Sequence, residues 1–126
     1  MFLELGHTKL NVFQETKKLT LECYKLTKLF PVDEKFAMVS QIRRAALSVH
    51  LNLAEGASRK STNERKRYFE ISRGSLIEVD TALDIAVELG YILPENIADL
   101  GLMIVKAFKL LSGLITQSNQ DSPTHN

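Results

Sequence analysis

A chain of 126 residues with 44% apolar and 25% charged side chains can bury one core without disulfides or metals, and this composition excludes global disorder. No apolar run is long enough to span a membrane, and the start, MFLELGHTK, lacks the basic, apolar, small-residue order of a secretory signal, so a cytoplasmic protein is expected. The single cysteine, Cys23, excludes an internal disulfide, and its place on an apolar helical stripe predicts a core role.

Residues 1–9 read as an N-terminal leader. From 10 to 30, Val12, Thr16, Leu19, Cys23, Leu26 and Phe30 recur at steps of three and four, with Phe13, Thr20 and Tyr24 beside them. That spacing predicts a long amphipathic helix, ended by Pro31 because proline cannot continue the hydrogen-bond ladder. Asp33 and Glu34 in the short connection suit the start of the next helix, where the backbone dipole favours carboxylates.

The second helix, 37–54, carries Val39, Ile42, Ala46, Val49 and Leu53 on one face. A second apolar group, Leu47, Leu51 and Ala54, lies about a third of a turn away, with Arg43 and His50 in the sector between. A helix apolar on two sides has two partners, so one stripe is expected on its own core and the other on a neighbouring element or another copy of the chain. Gly56 is placed as a left-handed cap closing this helix.

Ser61-Thr62-Asn63-Glu64 matches a capping box and opens the third helix, expected to reach Leu89. Tyr68, Phe69, Ser72, Leu76, Val79, Leu83 and Ala86 share one face; Ile71, Ala82, Ile85 and Leu89 make a second strip. Roughly 28 residues at 1.5 Å rise give a helix of about 40 Å. Gly90 stops it, and Pro94 suits the first turn of a fourth helix carrying Ile97, Leu100, Ile104, Phe108, Leu111 and Ile115 to about 116. Four amphipathic segments with short connections and no strand-like alternation define an all-α, up-down-up-down antiparallel four-helix bundle over 10–118, followed by a disordered polar tail, 119–126.

The net charge of +1 hides a segregation. Between Gln41 and Arg73 eight basic residues face three acids, whereas from Gly74 to Leu100 there are six acids and no Lys or Arg. The folded chain therefore gains a positive and a negative end, able to steer an anionic partner or to order copies head to tail. Arg59, Lys60, Arg65, Lys66 and Arg67 gather around the second connection, with Arg73 further along and Tyr68 adjacent. Such a cluster neutralises phosphates without reading bases, and Tyr68 is placed to stack on an exposed base. These seven residues form the candidate nucleic-acid site, while nothing in the sequence is built for insertion into a DNA major groove.

Other chemistry finds little support. There is no Glu-x-x-His of the kind that bundle metalloenzymes carry, no phosphate-binding glycine loop, and no implied metal or cofactor. Arg43 and His50, two turns apart on one face, resemble weakly the arginine and histidine of some all-helical ribonucleases. The competing reading places His50 at a helix edge and pairs Arg43 with Glu78, which lies in the second strip of helix three.

The set Leu29-Phe30-Pro31, Glu34-Lys35-Phe36, Ser40-Gln41-Ile42-Arg43-Arg44-Ala45-Ala46, Asn52-Leu53-Ala54-Glu55-Gly56, Arg73-Gly74-Ser75-Leu76 with Glu78, and Leu89-Gly90-Tyr91 resembles the bacterial ribosomal RNA intervening-sequence proteins. The resemblance covers about 10–118. It implies an up-down bundle, a homopentameric ring, genes found inside intervening sequences of large-subunit ribosomal RNA, and kinship with the basic, nucleic-acid-binding accessory protein of diversity-generating retroelements. One departure is His50, where the family usually has proline, which leaves helix two without a proline kink.

The sequence thus points to a non-enzymatic oligomer whose basic rim binds structured RNA or another nucleic acid. Its self-association surface is expected at Leu47, Leu51, Ala54, Ile71, Ala82, Ile85 and Leu89. The alternatives are a module docking on an enzyme or ribonucleoprotein and, third, a ribonuclease using His50 and Arg43.

Overall fold

A computed structural model describes residues 1–120. A 3₁₀ turn, Gly6–Lys9, leads into α1 (Asn11–Leu26), which tightens into Thr27–Leu29 before Pro31. A second short turn, Val32–Glu34, precedes α2 (Met38–Ser58), then α3 (Thr62–Glu88), the turn Pro94–Ile97, and α4 (Ala98–Gln120). No strand occurs among the described residues. Helix α2 packs on α1 and α3, and α4 packs on α3 and α1, so the four helices stand at the corners of a square around one core.

Every member of the first-helix stripe is buried, as are Val39, Ile42, Ala46, Val49 and Leu53 on α2. Burial pushes the Cys23 thiol up to about 12, so it stays protonated and inert in the core. Small polar side chains stitch the helices where their backbones approach closely. Ser72 Oγ donates to the Val49 carbonyl at 2.6 Å, Thr20 Oγ1 donates to the Ala46 carbonyl at 3.1 Å, and Ser48 and Ser75 hydroxyls meet at 2.8 Å. Between α1 and α4, Lys106 Nζ donates to the buried Glu15 carboxylate at 3.0 Å, which keeps that acid from being an uncompensated buried charge.

Helix ends follow local chemistry with two corrections. Ser61 Oγ accepts from the Glu64 amide at 3.3 Å, capping α3, and Gly90 adopts φ +77°, the left-handed turn that ends it. Gly56, expected as such a cap, instead sits buried inside α2, which runs on to Ser58. The reason is packing: a Cβ there would meet Tyr68 Cβ at 2.8 Å and Phe69 Cε1 at 2.9 Å, so glycine lets α3 lie against α2.

The second correction concerns the C-terminal end. Helix α4 continues through 117–120 rather than fraying, because Ser118 is buried and returns its hydroxyl to the Leu114 carbonyl at 2.8 Å. The rest of the expected tail, 121–126 with Pro123, lies outside the described residues. Phe108, expected in the core, is 40% exposed. At the other end the leader is partly docked: the His7 ring stands edge-on to Phe13, centroids 5.3 Å apart.

Candidate nucleic-acid interface

The α2–α3 turn collects most of the basic cluster at one end of the bundle, because Arg59 and Lys60 follow α2 while Arg65, Lys66 and Arg67 fill the first two turns of α3. Within that cluster the structure separates engaged from free cations. Arg59 donates to Glu55 at 2.6 Å and to the Tyr68 hydroxyl at 3.2 Å, and its guanidinium lies over the Tyr68 ring, 5.1 Å from the centroid. The Glu55 hydrogen bond holds Arg59 charged, above its ordinary pKa. Tyr68 is half-buried with one face covered, so the expected base-stacking tyrosine is engaged within the chain.

Arg73 is also removed from the cluster. It donates to Ser112 Oγ at 3.0 Å and lies over Phe108, 5.6 Å from the ring centroid, so it joins α3 to α4. By contrast, Lys60, Arg65 and Arg67 are exposed and Lys66 is half-buried, and none of the four has an ion pair or hydrogen bond among the described residues. Those four side chains are free to meet phosphate. Arg59 and Arg73 read like them in sequence because type and spacing do not reveal which neighbour a long side chain reaches.

The expected Arg43–Glu78 pair is not formed. Arg43 turns to α1: Nε donates to Thr27 Oγ1 at 2.8 Å, a terminal nitrogen donates to the Tyr24 carbonyl at 3.2 Å, and the guanidinium covers the Tyr24 ring at 5.0 Å. Glu78 stands exposed on the outer side of α3. The reason is sector: Arg43 lies on the side of α2 that faces α1, whereas α3 packs on a different side of α2.

His50 packs at the α1–α2 edge. Its Nδ1 lies 2.8 Å from Thr16 Oγ1 in a hydrogen bond, and its ring is 4.4 Å from the Phe13 centroid. Burial, then Lys17 and His7, lower its pKa below the ordinary 6.5. Thr16 and Thr27, the anchors of His50 and Arg43, are separated by about 16 Å along α1, so the two do not converge on one phosphate. No three His, Cys, Asp or Glu side chains gather into a metal site among the described residues, and no described helix is long and apolar enough to cross a membrane.

The second apolar stripes lie on the outside of the bundle. Leu47 (38%), Leu51 (56%), Ile71 (41%), Ile85 (47%) and Leu89 (55%) are exposed, and Ala54 and Ala82 are half-buried. Sequence reasoning passed over a second exposed apolar surface, in which Ile77 of α3 faces Leu102, Val105 and Phe108 of α4. Its signal was the presence of Leu102 and Val105 off the core stripe of α4.

A square helical bundle with one cationic end and apolar outer faces defines the class: an all-α bundle protein whose surface, rather than an enclosed pocket, carries its distinguishing features. The chain belongs to the 23S rRNA-intervening sequence protein family, whose model matches residues 8–113. It is also similar to a crystal structure, at 1.70 Å resolution, of a protein with unknown function from the S23 ribosomal protein family of Bacteroides thetaiotaomicron VPI-5482. That similarity has a TM-score of 0.73 at 22% identity, covering 82% of this chain and 97% of the other. No curated protein matches the chain.

Proposed function

We propose that this chain is a non-enzymatic, self-associating helical bundle that binds structured RNA through phosphate contacts at its α2–α3 end. The observation that carries the reading is the free set Lys60, Arg65, Lys66 and Arg67, cations that no carboxylate of the described residues neutralises. Their placement brings α3 no stabilisation, since positive charge near a helix N-terminus opposes the backbone dipole. Membership of a family named for the 23S rRNA intervening sequence makes structured RNA the nucleic acid of choice. Self-association through the outer strip of α2 and α3 repeats the patch in each copy and raises avidity; the family resemblance suggests five copies. A cytoplasmic setting belongs to the same proposal. The separate anchoring of His50 and Arg43 supports a binding role over RNA cleavage.

The test is fluorescence anisotropy with a structured ribosomal-type RNA at 50 and 200 mM salt. Four phosphate contacts give a log–log salt slope of about −2.8 to −3.6, hence a loss of about 50- to 150-fold between those salts. Changing Arg65, Lys66 and Arg67 together to Ala should remove most of the affinity and of the slope. Tight binding that ignores salt and survives the triple change would overturn the reading.

A second reading, docking on an enzyme or ribonucleoprotein, is favoured by the opposite end. There the α1–α2 connection holds Val32 86% and Phe36 88% exposed, more apolar surface than an isolated turn needs. Absence of any RNA binding by the assembled protein would move the assignment there.

A further inference from the structure

We infer that the end of the α3–α4 groove beside Pro94 docks an arginine-bearing segment of a partner protein. The inference takes up the docking end named above, gives its partner a chemistry, and stands whether or not the opposite end binds RNA. There α3 and α4 leave a depression of about 260 Å³, with Leu83, Val87 and Ile97 as its apolar floor and Pro94, Asp80 and Asp84 around them. Leu83 belongs to the core and Val87 and Ile97 pack against it, so the floor is fixed. Leu93, next to Pro94, is 59% exposed. The volume falls below the roughly 300–1,000 Å³ of small-molecule pockets and suits one long side chain entering from outside. The α1–α2 connection with its exposed Val32 and Phe36 meets the same end, since the Phe30 and Tyr91 rings are 5.8 Å apart and the Tyr91 hydroxyl donates to Glu34 at 3.4 Å.

Charge identifies that side chain. Asp80 and Asp84 stand one turn apart on α3, with about 5–6 Å between Cβ atoms, and Glu88, Glu95 and Asp99 lie on the adjoining turns. None of the five has an ion pair or hydrogen bond among the described residues. No Lys or Arg occurs from Gly74 to Val105, and none of the residues lining the depression is a cation. The cations of the surrounding segments are placed elsewhere. Arg73 lies over Phe108, about 16 Å along α3 from Asp84; Lys109 lines the same far part of the groove, and Lys106 is bound to Glu15 of α1. Lys35 lies over the Phe36 ring in the α1–α2 connection, Lys28 precedes that connection, Arg43 is held by Thr27 and Tyr24, and Arg44 stands one turn before Leu47 on the outer strip of α2. RNA and anionic lipid are repelled by such a rim, whereas a cationic protein segment is complementary to it. Arginine fits better than lysine: its stem lies on the apolar floor, its planar guanidinium has five donors to bridge two carboxylates, and it is less strongly hydrated than an ammonium. From Arg67 to Asp84 is about 25 Å along α3, about three Debye lengths at physiological salt, so the two ends bind independently.

The test selects random peptides, displayed on phage, on the immobilised full-length protein, and measures the enriched sequences as synthetic labelled peptides by fluorescence anisotropy. Enriched peptides are expected to carry an arginine flanked by apolar residues. Their affinity should fall about tenfold or more on the double variant Asp80→Asn with Asp84→Asn, since hydrogen bonds to charged groups are the strong ones. It should hold on Glu70→Gln, an exposed acid of α3 away from the groove. Circular dichroism verifies that each variant stays folded, and the double variant should bind RNA as wild type does. No enrichment, enrichment without arginine, or equal binding to wild type and the double variant overturns the site. A double variant of lower mass than wild type in light scattering assigns the groove to a second copy and also overturns it. Wild type that enriches arginine peptides yet fails to bind RNA overturns the RNA reading and leaves this site standing.

Discussion

The guanidinium of Arg59 covers the ring of Tyr68 while holding Glu55 at 2.6 Å, so two residues that look like ligands for RNA are ligands for each other. A cation spent in this way releases no counterion on phosphate binding. Arg65→Ala should therefore reduce the log–log salt slope of RNA binding by about 0.7–0.9, one contact's share, whereas Arg59→Gln should leave it unchanged. Equal losses from the two substitutions would place Arg59 on the RNA and its bond to Glu55 as exchangeable.

Gly56 predicts a packing penalty. Its missing Cβ is the space taken by Tyr68 Cβ and the Phe69 ring, and Phe69 is fully buried. Gly56→Ala improves helix propensity by ~1 kcal/mol, yet overpacking of this kind costs about 1–3 kcal/mol. The expected net result is a lower urea midpoint. A raised midpoint would mean that α2 and α3 separate there at no cost.

His50 predicts a pH dependence with a definite sign. Its folded pKa lies below the ordinary 6.5, chiefly through burial, so near and below pH 6.5 the unfolded chain takes up a proton that the folded chain refuses. This contribution to stability is whole at pH 8 and is lost as pH falls through 6.5 toward the lower folded value. Urea midpoints measured from pH 8 to 5 should drop more for wild type than for His50→Gln, which keeps a partner for Thr16 and does not titrate. Parallel curves for the two proteins would show that His50 is charged in the folded state as readily as in the unfolded one.

Arg43 and Glu78 can be separated in one double-mutant cycle. Arg43→Ala removes hydrogen bonds to buried Thr27 and to the Tyr24 carbonyl and should cost about 1 kcal/mol. Glu78→Ala, on an open surface, should stay within about 0.5 kcal/mol. Additive effects are expected, because residues without a shared partner do not couple; a coupling energy clearly above that scatter in the monomer would restore the ion pair.

The stripes of α1 and α2, the Ser61 cap and the Gly90 stop were all legible in the chain itself, since a 3.6-residue period and local backbone preferences depend only on neighbours in sequence. The outer strip of α2 and α3 was legible for the same reason, and so was the gathering of cations at the second connection. Which cations remain free was not. Arg43, Arg59 and Arg73 carry long side chains whose partners, Thr27, Glu55 with Tyr68, and Ser112 with Phe108, depend on helix placement and side-chain direction. Gly56 likewise suits a cap or a close contact by local rules, and only the approach of Tyr68 and Phe69 decides between them. The four helices and their inner faces were therefore determined by the sequence alone, whereas the free cations and the groove beside α4 were decided by tertiary packing, because that is what sets the neighbours each side chain can reach.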